Sequence, residues 1–362
     1  MPHLLVDITA HGYGHIAQTA PVVNELARRI PDLRVTVRSA APPSYLQQRF
    51  TCPFHHIPVA LDFGMTMFNA VEVDVAHSLA NYREYHADWD AKVVQAAQEM
   101  RALQPDLLFA NVPYLSLAAA QLAQIPAVAM CCLNWADIYR HYAPDDIESR
   151  AIHAQMLAAY NGAEVFLKVS PTMPMGGLSK ARAIAPIAQV GVEQRSLAQS
   201  RCGASEGDKL VLVAMGGIDY RLPIEKWPRL AGVRWLVPHA WNIQRDDTYA
   251  LEMMGMSFSD VLASCDAVLT KPGYGTFAEA ACAGIPVLYV SRGDWPEQPY
   301  LIEWLAQHGV CGEVSAAQLH SGELEKSLQQ LWQQIQPSLP SAGGVRQAAS
   351  VLATFLKNLG TR

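Results

Sequence analysis

Between an apolar stretch at 267–270 and an alanine-rich helical pattern ending near Gly284 stand Lys271, Pro272, Gly273, Tyr274, Gly275, Thr276 and Glu279. The glycines let backbone approach a ligand closely, and the unpaired N–H groups of a following helix start form an anion site. Lys271 adds a cation there, Tyr274 lies between the glycines, and Thr276 adds a hydroxyl. Glu279 lies a turn further in, too close to a phosphate to be its ligand and better matched to hydroxyls such as those of a ribose. The segment has the chemistry of a nucleotide site. Its spacing is neither that of a Walker loop nor that of a dinucleotide fingerprint, and an ordinary strand-to-helix turn has similar glycines.

Other chemistry-bearing residues recur at similar places. Gly14 and His15 close the run His11-Gly-Tyr-Gly-His after the first apolar strand. A histidine in a first helical turn is a candidate general base, since the helix start favours its neutral form; the alternative is that His11 and His15 cap and pack the turn. Gly216 and Gly217, in the run 215–219 that ends at Asp219, offer a backbone cradle or simply a tight turn. Asp294, Glu297 and Gln298 offer carboxylate and amide groups suited to a sugar, or else a helix start with Pro296 at its first position. In 134–140, Trp135 and Tyr139 are candidate cleft walls, and Asp137 is a second candidate base.

The elements that must position these residues alternate from end to end. Strand-like runs fall at 4–8, 34–38, 107–109, 127–131 and 164–169, with helical patterns near 15–30, 81–103, 115 onward and 149–161. The stretch to about 80 reads as loop, and 170–195 as irregular. A second series has strands at 209–214, 234–237, 267–270, 287–290 and 311–314. Such alternation specifies parallel sheets wound on both faces. The reading is α/β, with two Rossmann-like doubly wound domains facing a cleft: residues 1–195, residues 196–340, and a helix over 341–362 that is free to cross back. The three loops beginning at Thr9, Gly216 and Lys271 all follow strand carboxyl ends, where such sheets bind ligands.

Composition narrows the partners. The 362 residues are 51% hydrophobic and 17% charged, with a formal net charge of −6; no basic cluster suggests nucleic acid. The N-terminus lacks the basic region and cleavage site of a signal peptide, and 115–133 is interrupted by Gln121, Gln124 and Pro126, so no transmembrane segment is expected. Seven scattered cysteines read as buried thiols of the cytoplasm. No Cys-x-x-Cys, His-x-x-x-His or Asp-rich loop suggests a metal.

Taken together, His11–His15, Asn134–Tyr139, Lys271–Glu279 and Asp294–Leu301 resemble GT-B glycosyltransferases. The resemblance is nearest to the glycosyltransferase-like N-terminal region of plant L-arabinokinases and bacterial proteins of that type, and spans most of the chain; no sugar-kinase phosphate loop is recognisable. In UDP-dependent members the corresponding residues bind the donor, which implies that Lys271 and Thr276 contact the diphosphate, Glu279 the ribose, and Glu297 and Gln298 the sugar. Gly14-His15 matches the Gly-His whose histidine deprotonates the acceptor. Two departures stand out. Lys271 replaces the usual histidine, and Asn111 stands where an aspartate often charges the catalytic histidine. Either the base is weakened, or Asp137 or Asp62 assists, or the chain is not an enzyme.

The resemblance thus implies an inverting, metal-independent glycosyltransferase with a nucleotide-sugar co-substrate, a UDP-sugar, and no other cofactor. The alternatives are a nucleotide-sugar-binding regulatory module and an epimerase or hydrolase of the same architecture. In this architecture the acceptor is bound mainly by loops of the first domain, here 59–80, a stretch with no chemical pattern.

Overall fold

A computed structural model describes residues 1–217 and 220–359. The first elements in chain order are β1 (His3–Ile8), α1 (Gly14–Arg29), β2 (Arg34–Arg38), α2 (Pro43–Arg49) and β3 (His55–Ile57). A short hairpin, β4 (Met67–Asn69) and β5 (Glu72–Val73), precedes α3 (Val75–Ala87) and α4 (Trp89–Leu103). Then come β6 (Leu107–Asn111), α5 (Tyr114–Ala123), β7 (Ala127–Cys131), α6 (Trp135–Tyr142), α7 (Ile147–Asn161), β8 (Val165–Val169) and β9 (Ala181–Ile184). The second series runs α8 (Arg195–Cys202), β10 (Lys209–Ala214), β11 (Val233–Val237), β12 (Thr248–Ala250), α9 (Phe258–Ala263) and β13 (Ala267–Thr270). It continues with α10 (Tyr274–Ala283), β14 (Val287–Val290), α11 (Gln298–His308), β15 (Cys311–Val314), α12 (Ala316–Ser321), α13 (Glu325–Trp332) and α14 (Gly344–Leu359).

Two compact units result. One holds residues 1–67, 73–187 and the tail from Gly343 onward; the other holds 68–72 and 188–342. The first has a seven-stranded sheet in the order β3-β2-β1-β6-β7-β8-β9, and the second a six-stranded sheet in the order β12-β11-β10-β13-β14-β15. Every pairing within these sheets is parallel. The central strands are apolar almost throughout because both faces are covered: Leu4, Leu5, Val6, Leu108 and Phe109 are fully buried, as are Leu210 to Val213 and Ala267 to Leu269.

Strand order reverses between β1 and β6 in the first sheet and between β10 and β13 in the second. At such a switch point successive connections leave toward opposite faces, which opens a crevice beyond the strand ends. Ile8 pairs in register with Asn111, and Ala214 with Thr270. The Thr9 and Asn111 loops therefore leave side by side, as do the Gly216 and Lys271 loops.

Several expected boundaries shift. The helix expected over 81–103 is two, α3 and α4, broken at Asp88, a poor helix former; the break lets Trp89 stack on His86, with ring centroids 4.9 Å apart. The strands expected to begin at 164 and 234 begin at Val165 and Val233. The stretches taken as loop and irregular hold α2, β3, the hairpin and β9, whose exposed Ala181–Arg182–Ala183 edge carries no apolar alternation.

The last helix belongs to the first unit, where it lies against α1 and β9. Ala348, Leu352 and Leu356 share one buried face with Ala349 and Ala353. Leu352, fully buried, is expected to cost about 2–5 kcal/mol when replaced by alanine. Urea unfolding of Leu352→Ala against the parent measures this, and a midpoint unchanged would show that α14 does not stabilise the unit.

Candidate functional site

In the first unit the polar groups gather at the carboxyl ends of β1, β6 and β7. His15 is the second residue of α1 and only 6% exposed. Its Nδ1 lies 2.9 Å from Asn111 Oδ1 and 3.6 Å from Cys131 Sγ. Asn111 has only one orientation consistent with its neighbours. Its Nδ2 donates to Gln18 Oε1 at 3.2 Å and to the His15 carbonyl at 3.4 Å, so Oδ1 must face the ring. An accepting Oδ1 places the ring proton on Nδ1 and leaves the lone pair on Nε2. Among the described residues Nε2 has no hydrogen-bond partner.

Asp62 completes this cluster from the loop before β4. Its carboxylate accepts from Thr9 Oγ1 and, at 2.9 Å, from Trp135 Nε1. Burial pushes it up to about 6, against the opposing pull of the Thr9 bond, the His15 charge and the Trp135 bond. Gly64 follows with φ at +61°, and a Cβ there would fall 2.7 Å from Trp135 and 2.9 Å from His11, so the loop closes over these rings only with glycine. Trp135 itself is fully buried, 5.1 Å from the His11 ring and 5.8 Å from the His15 ring between centroids. Burial alone would push His15 down, but Cys131, Asn111 and Asp62 outweigh it and raise the imidazole to about 8.

Asp137 sits elsewhere in the same unit. Asn134 caps α6, accepting from the Asp137 N–H at 2.8 Å and donating to Asp137 Oδ2 at 3.0 Å. Its carboxylate is thus built into a helix cap, and Asp62 is the carboxylate that acts on His15. Tyr139 is buried against Tyr82, at 4.7 Å between centroids.

In the second unit the Gly216 and Lys271 loops meet. Gly216 has φ at +87°, and a Cβ on it would lie 3.4 Å from Lys271 Cε and 3.6 Å from Nζ. Thr270 Oγ1 donates to the Ala214 carbonyl at 2.6 Å, joining the two strand ends below the loops. Gly217 follows, exposed; Ile218 and Asp219 lie outside the described residues. Beyond Lys271, α10 starts at Tyr274 with Gly273 as its N-cap, so no side chain caps it, and its first turn has no acidic residue. Gly275 and Thr276 fall in that turn, where N–H groups have no helical acceptor. Glu279, 2% exposed, is on the same helix.

The Lys271 ammonium is held at this helix start without a hydrogen bond or ion pair among the described residues. Burial pushes its ammonium down to about 7; the Arg292 guanidinium adds to the depression and Glu297 opposes it. Arg292, 7% exposed, lies 4.1 Å over the Trp295 ring, and Trp295 Nε1 donates to Glu297 Oε2 at 3.0 Å. Gln298 clamps the Arg292 backbone, accepting from its N–H at 2.6 Å and donating to its carbonyl at 3.3 Å. The helix expected to start with Pro296 instead starts at Gln298 with Pro299 in its first turn. The Trp295 carbonyl accepts from the Gln298 N–H, and Glu297 turns its side chain to Trp295 rather than to the helix N–H groups. Asp294 is exposed in the preceding loop.

The structure therefore brings Gly216, Lys271, Arg292 and Glu297 together in one unit, and His15, Asn111, Asp62 and Cys131 in the other. Arg292 and Cys131 had no part in the sequence reading. Arg292 has a signal, a lone arginine just after an apolar strand at the same sheet edge; Cys131 has none, as the last residue of an apolar strand. Among the described residues no cluster of histidine, cysteine, aspartate and glutamate is placed to hold a metal ion, and no helix is long and apolar enough to cross a membrane.

No family model matches the sequence. An L-arabinokinase of Arabidopsis thaliana is 24% identical over 298 residues, which are 81% of this chain and 28% of that protein. Among solved structures, the calicheamicin glycosyltransferase CalG4 is similar with a TM-score of 0.60 at 17% identity, covering 99% of both chains. UGT89C1 of Arabidopsis thaliana has a TM-score of 0.61 at 16% identity, over 98% of this chain and 99% of that one. The glycosyltransferase VinC, solved in complex with dTDP, has 0.54 at 16% identity, over 99% and 96%.

The Trp135–Asp62 bond generates a prediction with a pH signature. The bond lowers the pKa of a buried carboxylate that stands at about 6, so its contribution is present above that pH and fades as the pH falls through it. Trp135→Phe is expected to lose about 1–3 kcal/mol at pH 8 and distinctly less at pH 5. Equal losses in urea unfolding at both values would show that the indole matters through packing alone.

Proposed function

We propose that this chain, which has the GT-B fold of these glycosyltransferases, moves a sugar from a UDP-sugar to an acceptor hydroxyl, with inversion and without a metal ion. The observation that carries the reading is the start of α10: an uncapped helix N-terminus with a desolvated, unpaired lysine beside a buried arginine. Two cations and a helix dipole with no offsetting cap match a diphosphate, and they supply the charge that a divalent cation supplies elsewhere. VinC's complex with dTDP and the likeness of 271–298 to UDP-sugar motifs support a pyrimidine nucleoside diphosphate. The second unit holds the donor, Glu279 meeting the ribose and Glu297 with Gln298 the sugar; the first unit holds the acceptor.

In the transfer His15 Nε2 takes the acceptor's hydroxyl proton as that oxygen bonds to the anomeric carbon. The bond from that carbon to the β-phosphate oxygen breaks, and the nucleoside diphosphate leaves with the electron pair, its new charge met by Lys271, Arg292, Thr276 and the α10 N–H groups. Trapping of the Nδ1 proton by Asn111 sets Nε2 as the base. A cytoplasmic location is part of this reading, and the free, scattered cysteines support it.

A second reading, a binding module without turnover, is favoured by Asn111, a neutral group where an aspartate would strengthen the base. Incubation with UDP-sugars and candidate acceptors separates the readings. Acceptor-dependent UDP release means transfer, acceptor-independent turnover means an epimerase or hydrolase, and binding without turnover means a module.

Lys271→Ala is expected to weaken UDP binding by about 1–3 kcal/mol in calorimetry, and unchanged affinity would remove the diphosphate assignment. The depressed lysine also predicts proton uptake. Near pH 8 its free form is mostly neutral, and a bound diphosphate favours the charged form. Binding heats should then vary with the ionisation enthalpy of the buffer, an effect absent from Lys271→Ala. His15→Ala is expected to abolish transfer while donor affinity stays; because the base must be neutral and stands near 8, the parent rate should rise with pH through that value.

A further inference from the structure

The imidazole of His15 has a neutral partner in Asn111, yet a base that becomes an imidazolium inside a protein interior needs negative charge nearby. The ionisable groups that face it come from each surrounding element. Asp62 acts from its loop but spends its oxygens on Thr9 and Trp135. His11, on the loop after β1, meets the edge of Trp135. Tyr160 of α7 gives its hydroxyl to the Val112 carbonyl at 2.8 Å. Cys131, fully buried at the end of β7, is the ionisable side chain at the Nδ1 edge of the ring, 3.6 Å away.

We propose that Cys131 is the charge partner of His15: its thiolate, facing the Nδ1–H that Asn111 orients, offsets the imidazolium formed when Nε2 takes the acceptor proton. Cys131 acts through the histidine, so it is a positioning residue, and its catalytic consequence rests on the transferase reading above. Only one proton moves, from acceptor oxygen to Nε2. The Nδ1 proton stays on the ring, and the sulfur is ionised before the step and remains so after it.

The surroundings of the sulfur suit an anion. Besides Nδ1–H, Cys132 at 4.0 Å between sulfurs and the Leu133 backbone N–H turn toward it. Gln18 Nε2 donates to Cys132 Sγ at 2.9 Å, so the amide that orients Asn111 also orders the neighbouring thiol. Burial, the largest influence, pushes the Cys131 thiol up, and these donors with the His15 charge bring it below its ordinary value. The imidazole moves the opposite way, as an ion pair requires. An ordinary buried cysteine would be un-ionised and indifferent to the histidine.

The full chain, Cys131→Ser and Cys131→Ala test this without any acceptor. The ultraviolet absorbance of the thiolate should rise in the parent at a pH below that of a free thiol, and this step should be missing from both variants. His15, followed by NMR, should titrate about one to two units lower in each variant than in the parent. Serine keeps a hydrogen-bonding group but no charge, so it should behave as alanine does. Once an acceptor is found, the rising limb of the pH–rate profile should move to lower pH in Cys131→Ser, with a plateau reduced roughly tenfold and the donor KM unchanged. An Asn111→Asp background supplies a second charge and should make Cys131→Ser nearly silent. It also guards against a serine variant that folds poorly. A His15 titration identical in parent and variants would overturn the pairing. A shifted titration with no turnover on any acceptor would keep the pairing and remove the transferase reading instead.

Discussion

In each unit one strand pair, β1 with β6 and β10 with β13, is where the connections part company. His15, Asn111, Gly216 and Lys271 stand at or beyond the ends of those strands, with Cys131 and Arg292 so placed on the neighbouring β7 and β14. Parallel strands need right-handed crossovers, so a chain that starts in mid-sheet must reverse direction once to cover both faces. The reversal leaves a place where backbone ends without a helix packed across it. Buried polar groups are tolerated there because the strand ends supply partners at fixed spacing. Asn111 reaches His15 across the β1–β6 pair, and Thr270 ties its hydroxyl to Ala214 across β10–β13.

The two units use that place with opposite electrostatics. In the first, a histidine, a carboxylate, a thiol and two amides are packed together and bonded to one another, so the network holds a single arrangement. In the second, Lys271 and Arg292 stand with one carboxylate, Glu297, beside a helix start that no side chain caps. A cluster whose members neutralise one another is already satisfied. The Lys271 ammonium, by contrast, has only the distant Glu297 carboxylate to oppose its desolvation, and that difference is what the proposal of proton chemistry in the first unit and anion binding in the second builds on.

What was legible in the residues was what is local. Lys271, the glycines and Thr276 lie on one strand-to-helix turn, and their placement follows from apolar periodicity on either side. The doubly wound alternation was legible for the same reason. Partners distant in sequence were not: Asp62 meets Trp135 across 73 positions, and Cys131 meets His15 across 116. Nothing in the stretch 59–80 distinguishes Asp62 from a loop aspartate until Gly64 closes over the rings. A carboxylate early in a helix has two uses, and the bonds between Asn134 and Asp137 that join it to the cap are not visible before the fold is. Pro296 misled, since Pro299 is the proline inside the helix.

For the transfer proposed above, the resting protonation of both clusters is the reverse of what the step would need. Below about pH 8 the His15 ring carries a proton, and above about 7 Lys271 loses one. At neutral pH His15 is then mostly protonated while Lys271 is about half neutral. A diphosphate bound at the α10 start would reverse the second state, because its charge would offset the desolvation that depresses the lysine. Nothing comparable reverses the first: the groups that hold the proton on His15 are fixed parts of the network. They hold it by the same attraction that steadies the imidazolium during proton transfer. A stronger base that is less often free is the compromise general-base catalysis faces at any site. Asn111 eases it, since a carboxylate in its place, added to Cys131 and Asp62, would raise the ring further and leave the free base rarer still at neutral pH.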